Sequence, residues 1–159
     1  MIMVTVGTCG FDALIQTVDE LQGKDRLDGR VVCQIGSGDY QPRHCEYFRY
    51  EPTLQPWYDK ADVVICHGGT GTVHELLTRG AAFVAVANTS LSGNHQSDFL
   101  AACEKEFGIC WCRRLDDLPK HVEWVRAHRP PAIAGRHVAD DIKRYLDRLA
   151  PSRRPVRGM

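Results

Sequence analysis

The densest chemistry in this chain lies in one run, Cys66-His67-Gly68-Gly69-Thr70-Gly71-Thr72-Val73-His74-Glu75. A glycine-rich turn between a strand and a helix lets main-chain N–H groups approach an anion closely. The run follows Ala61-Asp62-Val63-Val64-Ile65, which reads as a buried parallel strand, and precedes Leu76-Leu77-Thr78-Arg79-Gly80, which reads as a helix closing on glycine. The helix start adds a field that favours negative charge, so the geometry suits a diphosphate. Glu75, one turn into the helix, could accept hydrogen bonds from a ribose diol. The same residues also admit a structural role. Thr72-x-x-Glu75 has the spacing of a capping box, with Thr72 as the cap and Glu75 reaching back to the helix start. The segment is neither G-x-G-x-x-G nor G-x-x-x-x-G-K-[ST].

The elements that must position this segment alternate along the chain. Strand-like runs cover 2–6, 31–35, 47–50, 63–66, 83–87 and 109–112. Helical patterns cover about 12–21, 54–60, 95–106, 116–127 and 137–149, besides the helix after the glycines. Such alternation predicts right-handed βαβ units around a mainly parallel sheet, in one α/β domain over residues 1–150. Ligands of such sheets bind outside the carboxyl ends of the strands. The loops at 7–10, 36–38, 68–72 and 91–96 all follow strands and should share that edge. The last helix carries an apolar stripe of Val138, Ile142, Tyr145, Leu146 and Leu149, fit to pack on its own sheet or on a partner. Residues 151–159, with Arg153, Arg154 and Arg157, read as a disordered basic tail.

Composition removes several function classes. The 159 residues, 43% hydrophobic and 25% charged, are those of a globular domain with enough chain to bury a core. Formal net charge is zero, so no global field draws nucleic acid or an anionic membrane, and nucleic acid is not an expected partner. No apolar stretch is long enough to cross a bilayer, and Met1-Ile2-Met3-Val4-Thr5-Val6 runs into a strand rather than a signal peptide. The cysteines at 9, 33, 45, 66, 103, 110 and 112 point to a reducing cytosol. Cys110 and Cys112 would share one face of a strand. None of the seven has the paired spacing of a zinc site, so most should be small buried hydrophobes and no metal is expected. Histidine as a residue type has an intrinsic pKa near ~6.5, in reach of base catalysis, which makes His67 and His74 candidates. A histidine in a glycine turn is more often structural, and adjacent helix positions make His74 and Glu75 diverge. No catalytic base is assigned within the chain.

Four segments together, in this order, resemble the family-28 glycosyltransferase C-terminal domain. They are Val4-Thr5-Val6-Gly7-Thr8, Gln34-Ile35-Gly36-Ser37-Gly38, residues 61–72 with Glu75, and Asn94-His95-Gln96. The resemblance covers about residues 2–112. It is closest to the small donor-binding subunits of two-part transferases that act in dolichol- or undecaprenyl-linked saccharide and exopolysaccharide synthesis. It implies the fold of the C-terminal, Rossmann-like half of a GT-B glycosyltransferase, and a UDP-sugar as substrate with no separate cofactor. By similarity, Gly69, Thr70, Gly71 and Thr72 would hold the diphosphate, with His67 and Gly68 leading into that grip and Glu75 on the ribose. The backbone at Tyr50 and Glu51 would face uracil. Asn94, His95 and Gln96 would lead to the sugar, where His95 and Gln96 reach its hydroxyls or the diphosphate. Thr8 would line the cleft towards the acceptor half.

Two positions depart from the family pattern. Gly93 stands where many relatives carry an acidic residue, and Phe99 where larger ones place an amide. Both lie where the sugar should sit, so the sugar is left open. The resemblance further implies an inverting single displacement, a base on the missing half, and a membrane-anchored acceptor-binding subunit as partner. The chain would then be cytoplasmic, peripheral to the membrane through that partner, and would serve a lipid-linked acceptor. A non-catalytic nucleotide-sugar binding module, or another doubly wound domain such as a flavodoxin-like one, would use the same edge differently.

Overall fold

The computed structural model describes residues 1–90, 95–130 and 132. Asn94, the expected helix at 137–149 and the basic tail at 151–159 lie outside these. Within the described residues, six strands form one sheet: β1 (Ile2–Thr5), β2 (Val31–Gln34), β3 (Glu46–Phe48), β4 (Val63–His67), β5 (Phe83–Val86) and β6 (Cys110–Trp111). Every neighbouring pair is parallel and the spatial order is β3-β2-β1-β4-β5-β6. This is the doubly wound order whose direction reverses between the first and fourth strands, the place where such sheets take ligands. The expected Rossmann-like parallel sheet is borne out.

Strand period places alternate side chains on opposite faces. Ile2, Val4, Val31, Cys33, Val63, Ile65, Val84 and Val86 face one core, with Leu14, Ile15 and Val18 of α1 (Asp12–Gly23) and Val122 and Val125 of α5 (Leu118–Ala127). Met3, Val32, Val64, Cys66, Phe83 and Ala85 face the other. That core is closed by Tyr58 of α2 (Gln55–Lys60), Val73, Leu76 and Leu77 of α3 (Thr70–Arg79), and Phe99, Leu100 and Cys103 of α4 (His95–Phe107). Both strand faces are apolar because both are covered, as parallel sheets require.

Several boundaries move. The strand expected at 47–50 is Glu46–Phe48, so Tyr50 and Glu51 fall in the loop after it. The helix expected at 116–127 divides into a 3-10 turn, Leu115–Asp117, and α5, whose Pro119 sits in the first turn where a missing N–H costs nothing. The crossover from β2 to β3 carries no helix. Its end is held instead by the buried carboxylate of Asp19 on α1, which accepts from Tyr40 Oη (2.9 Å) and from the main-chain N–H groups of Arg43 (2.9 Å), His44 (2.7 Å) and Cys45 (2.9 Å). Burial alone would raise this carboxyl's pKa, but those donors more than offset it and hold it below the ordinary range.

Cys33, Cys45, Cys66, Cys103 and Cys112 are buried and Cys110 half-buried, all as free thiols. Burial pushes Cys103 and Cys110 up to about 12 and Cys112 to about 11, so they serve as apolar fillers. Cys9 alone is exposed. No described helix is long and apolar enough to cross a membrane.

Candidate functional site

The main-chain groups at the start of α3 form the centre of the site. Gly69 is its N-cap, in extended conformation, and makes no side-chain capping bond. The capping box read from Thr72 and Glu75 is therefore not formed. Thr72 is the third residue inside the helix, and Val73 N–H already donates to Gly69 O at 3.0 Å. The sequence spacing misled because a chain that turns on glycine enters the helix earlier than a threonine cap allows. Glu75 lies instead within 3.7 Å of Arg79 Nε, one turn on. The N–H groups of Thr70, Gly71 and Thr72 precede the first intrahelical bonds and have no acceptor among the described residues, while Thr70 and Gly71 are exposed. Uncapped donors at the positive end of a helix are an anion site in waiting.

Beneath that turn lies His67, the last residue of β4. A Cβ on Gly69 would come 2.3 Å from His67 Nε2, and one on Gly7 would come 2.9 Å from His67 Cε1. The imidazole thus wedges between the β1 and β4 loops. Burial holds its pKa below the ordinary value, the Thr5 main chain opposing this to a smaller degree, and its Nδ1 is buried with no hydrogen-bond partner among the described residues. A neutral ring packed under glycines is a spacer. Gly68 is likewise short of room, since a Cβ there would meet Leu100 at 2.9 Å and Gln96 Oε1 at 3.1 Å. Gly71 differs, because a Cβ there would meet nothing within 4 Å.

The other loops reach the same edge. Thr8 is exposed after β1, its hydroxyl 3.9 Å from Cys9 Sγ, and its carbonyl accepts from Ser37 N–H at 3.1 Å. Tyr50 and Glu51 are exposed after β3, three strand spacings from β4, or about 14 Å. His95 begins α4 and is exposed, whereas Gln96 is half-buried and its Oε1 accepts from Asn88 N–H at 2.8 Å. The Gln96 oxygen therefore ties α4 to the β5 loop. Phe99 is buried in the second core, so the position of the family amide is taken by packing.

Three polar residues of this edge went unnoticed in the sequence. Asn88, buried after β5, donates from Nδ2 to Gly10 O at 3.3 Å and accepts from Ser90 Oγ at 2.6 Å. Thr5 Oγ1 donates to Gln34 Oε1 at 2.6 Å, a wholly buried pair between β1 and β2. Arg49 donates to two carbonyls of the β2 loop. Their only sequence signal was a polar residue at or next to the carboxyl end of an apolar strand. Among the described residues no cluster of three or more His, Cys, Asp or Glu is arranged to hold a metal.

The arrangement offers a row of free amides for a diphosphate, a carboxylate one turn beyond for a diol, and open loops to either side. Comparison with known proteins gives the family and the fold. The family described as Glycosyltransferase family 28 C-terminal domain matches residues 1–123. The UDP-N-acetylglucosamine transferase subunit ALG13 of Homo sapiens is 37% identical over 127 residues, covering 72% of this chain and 11% of that protein. The chain thus spans about a tenth of that relative's length. Among solved structures, MurG of Acinetobacter baumannii matches with a TM-score of 0.57 at 20% identity, over 90% of this chain and 49% of that one. The NMR solution structure of ALG13 matches at 0.59 and 18% identity, over 88% and 92%. At such identities the likeness concerns the fold, which is that of the C-terminal, Rossmann-like half of a GT-B glycosyltransferase.

Proposed function

This chain belongs to the glycosyltransferase family 28 C-terminal domain family, and on that premise we propose that it is the donor-binding subunit of a two-subunit glycosyltransferase. It binds a UDP-sugar along the carboxyl edge of the sheet and presents it to a polyprenyl-diphosphate-linked saccharide held by a membrane-anchored partner. The observation that carries this reading is the uncapped start of α3, with free amides at residues 70–72 beside the point where strand order reverses. Those amides take the diphosphate and, as the glycosidic bond breaks, stabilise the charge gathering on departing UDP. Glu75 takes the ribose hydroxyls, the backbone at Tyr50 and Glu51 faces uracil, and His95 and Gln96 serve the sugar end. UDP-N-acetylglucosamine is the first donor to test, because the ALG13 relative is named as a subunit of a transferase of that sugar.

On this reading the acceptor is activated by the partner. His67 is occupied as a spacer under the glycines, and His74 Nε2 is buried on the flank of α3 with no hydrogen-bond partner among the described residues. Isothermal titration of the purified chain with UDP, UDP-N-acetylglucosamine and FMN tests the ligand class. Binding of the two uridine compounds and not of FMN is expected. Binding of FMN alone would overturn the reading in favour of a flavodoxin-like role.

A further inference from the structure

Arg49 immediately follows β3 and closes the β2 loop from two sides. Its Nη1 donates to Gly36 O at 3.0 Å and to Gly38 O at 2.8 Å, while its own carbonyl accepts from Gly36 N–H at 3.2 Å. The loop so held has no slack. Gly36 has φ +56°, and a Cβ there would stand 2.5 Å from Gly7 O; Gly10 has φ +74°, and a Cβ there would stand 2.6 Å from Gly38 N. Ser37 N–H donates to Thr8 O at 3.1 Å, which joins this loop to the one after β1. From Gly7 the contacts continue to the His67 ring, and from that ring to Gly69. They run unbroken across β3, β2, β1 and β4, from Arg49 to the cap of α3.

We propose that Arg49 is a positioning residue for the diphosphate: it fixes the β2 loop and, through Thr8, Gly7 and His67, the placement of Gly69 and the free amides of α3. The inference rests on the nucleotide-sugar reading above. In the β2 loop the glycine-on-backbone contacts leave no rotamer change to absorb a displacement, and the His67 ring, wedged between Gly7 and Gly69, passes it on. A lysine would keep the charge but not the function. Its compact ammonium on a flexible stem lacks the fixed plane that aims one guanidinium nitrogen, Nη1, at both carbonyls.

The test uses the whole chain as wild type, R49K and R49Q, titrated with uridine and with UDP. A parallel measurement follows the amide shifts of Gly69 and Gly71 by 15N NMR without ligand. In R49K the Gly69 amide is expected to move in the free protein. UDP affinity should fall about tenfold and uridine affinity less than about threefold, within the range by which residues along such contact chains modulate coupling. R49K carries the test if R49Q fails to fold. Proportionate loss of uridine and UDP would make Arg49 a base contact or a support of the fold, and would overturn the proposal. Unmoved Gly69 and Gly71 amides in free R49K would overturn it as well. If the wild type binds neither ligand, the nucleotide-sugar reading is what fails, and the amide shifts alone decide the coupling.

Discussion

Gly71 and Gly69 sit two residues apart and answer different questions. A Cβ on Gly69 strikes the His67 ring, so a substitution there disturbs the protein before any ligand arrives. A Cβ on Gly71 meets nothing within 4 Å among the described residues, and alanine suits a helix better than glycine. Gly71→Ala is therefore expected to stabilise the fold by up to about 0.5–1 kcal/mol. It should weaken UDP at least about tenfold by filling the space beside the amides. Urea denaturation and calorimetry on the same sample read both, and a stabilised variant with unchanged UDP affinity would remove the diphosphate from this turn. Glu75→Ala separates in the opposite sense. With no capping box to lose, only its pairing with Arg79 goes, worth about 0.3–0.5 kcal/mol of stability. Loss of charge-assisted bonds to the ribose would cost about 1.5–3 kcal/mol of UDP binding. Equal affinities in wild type and variant would leave Glu75 a surface residue.

The element most in need of help is the helix-free crossover between β2 and β3, and Asp19 supplies it. Asn in its place turns an amide donor towards groups that are themselves donors. Asp19→Asn should cost about 2–3 kcal/mol, seen as a fall in Tm of roughly 4–12 °C. The sign of its pH dependence follows from its lowered pKa. Its stabilisation is fully present above the ordinary carboxyl range and is lost as pH falls through that range towards the folded value. His67 acts earlier in the same direction. The buried neutral ring resists a proton that the unfolded chain accepts, so stability begins to fall below about pH 6.5. Denaturant midpoints for the wild type should therefore decline between pH 7 and 5, and a His67→Gln variant should flatten that limb even if it starts less stable. An unchanged slope would show that His67 is not held neutral by the fold.

At the scale of the molecule, the proposed function makes this chain the donor half of a reaction whose acceptor is carried by a partner. Its described helices give no membrane span, and neither His67 nor His74 stands ready as a base. Sugar transfer to a polyprenyl-linked acceptor should be absent for the purified chain and appear when a membrane-anchored partner is co-expressed. Donor binding by the chain alone should be unaffected. Robust transfer by the isolated chain would end the two-subunit reading and place a base within this sequence.

The sequence by itself determined the sheet and the family. Apolar runs such as 63–66 and 83–86, buried on both faces, admit little but parallel strands, and a glycine turn between strand and helix marks the candidate anion site. Motif order then carried the family assignment. The tertiary structure decided which polar groups are already spent. Local spacing made Thr72 and Glu75 a capping box, yet the packing of Gly69 on His67 starts the helix earlier and leaves its first amides free. Gln96 reads as a ligand residue in the sequence, and only the fold shows that its oxygen also accepts from Asn88 N–H. Asp19, Asn88 and Arg49 show no pattern in the sequence, because their partners are distant in the chain or are main-chain atoms without identity. A hydrogen bond to a carbonyl leaves no trace in the residue that owns it, so only the folded backbone shows where Arg49 holds the loop.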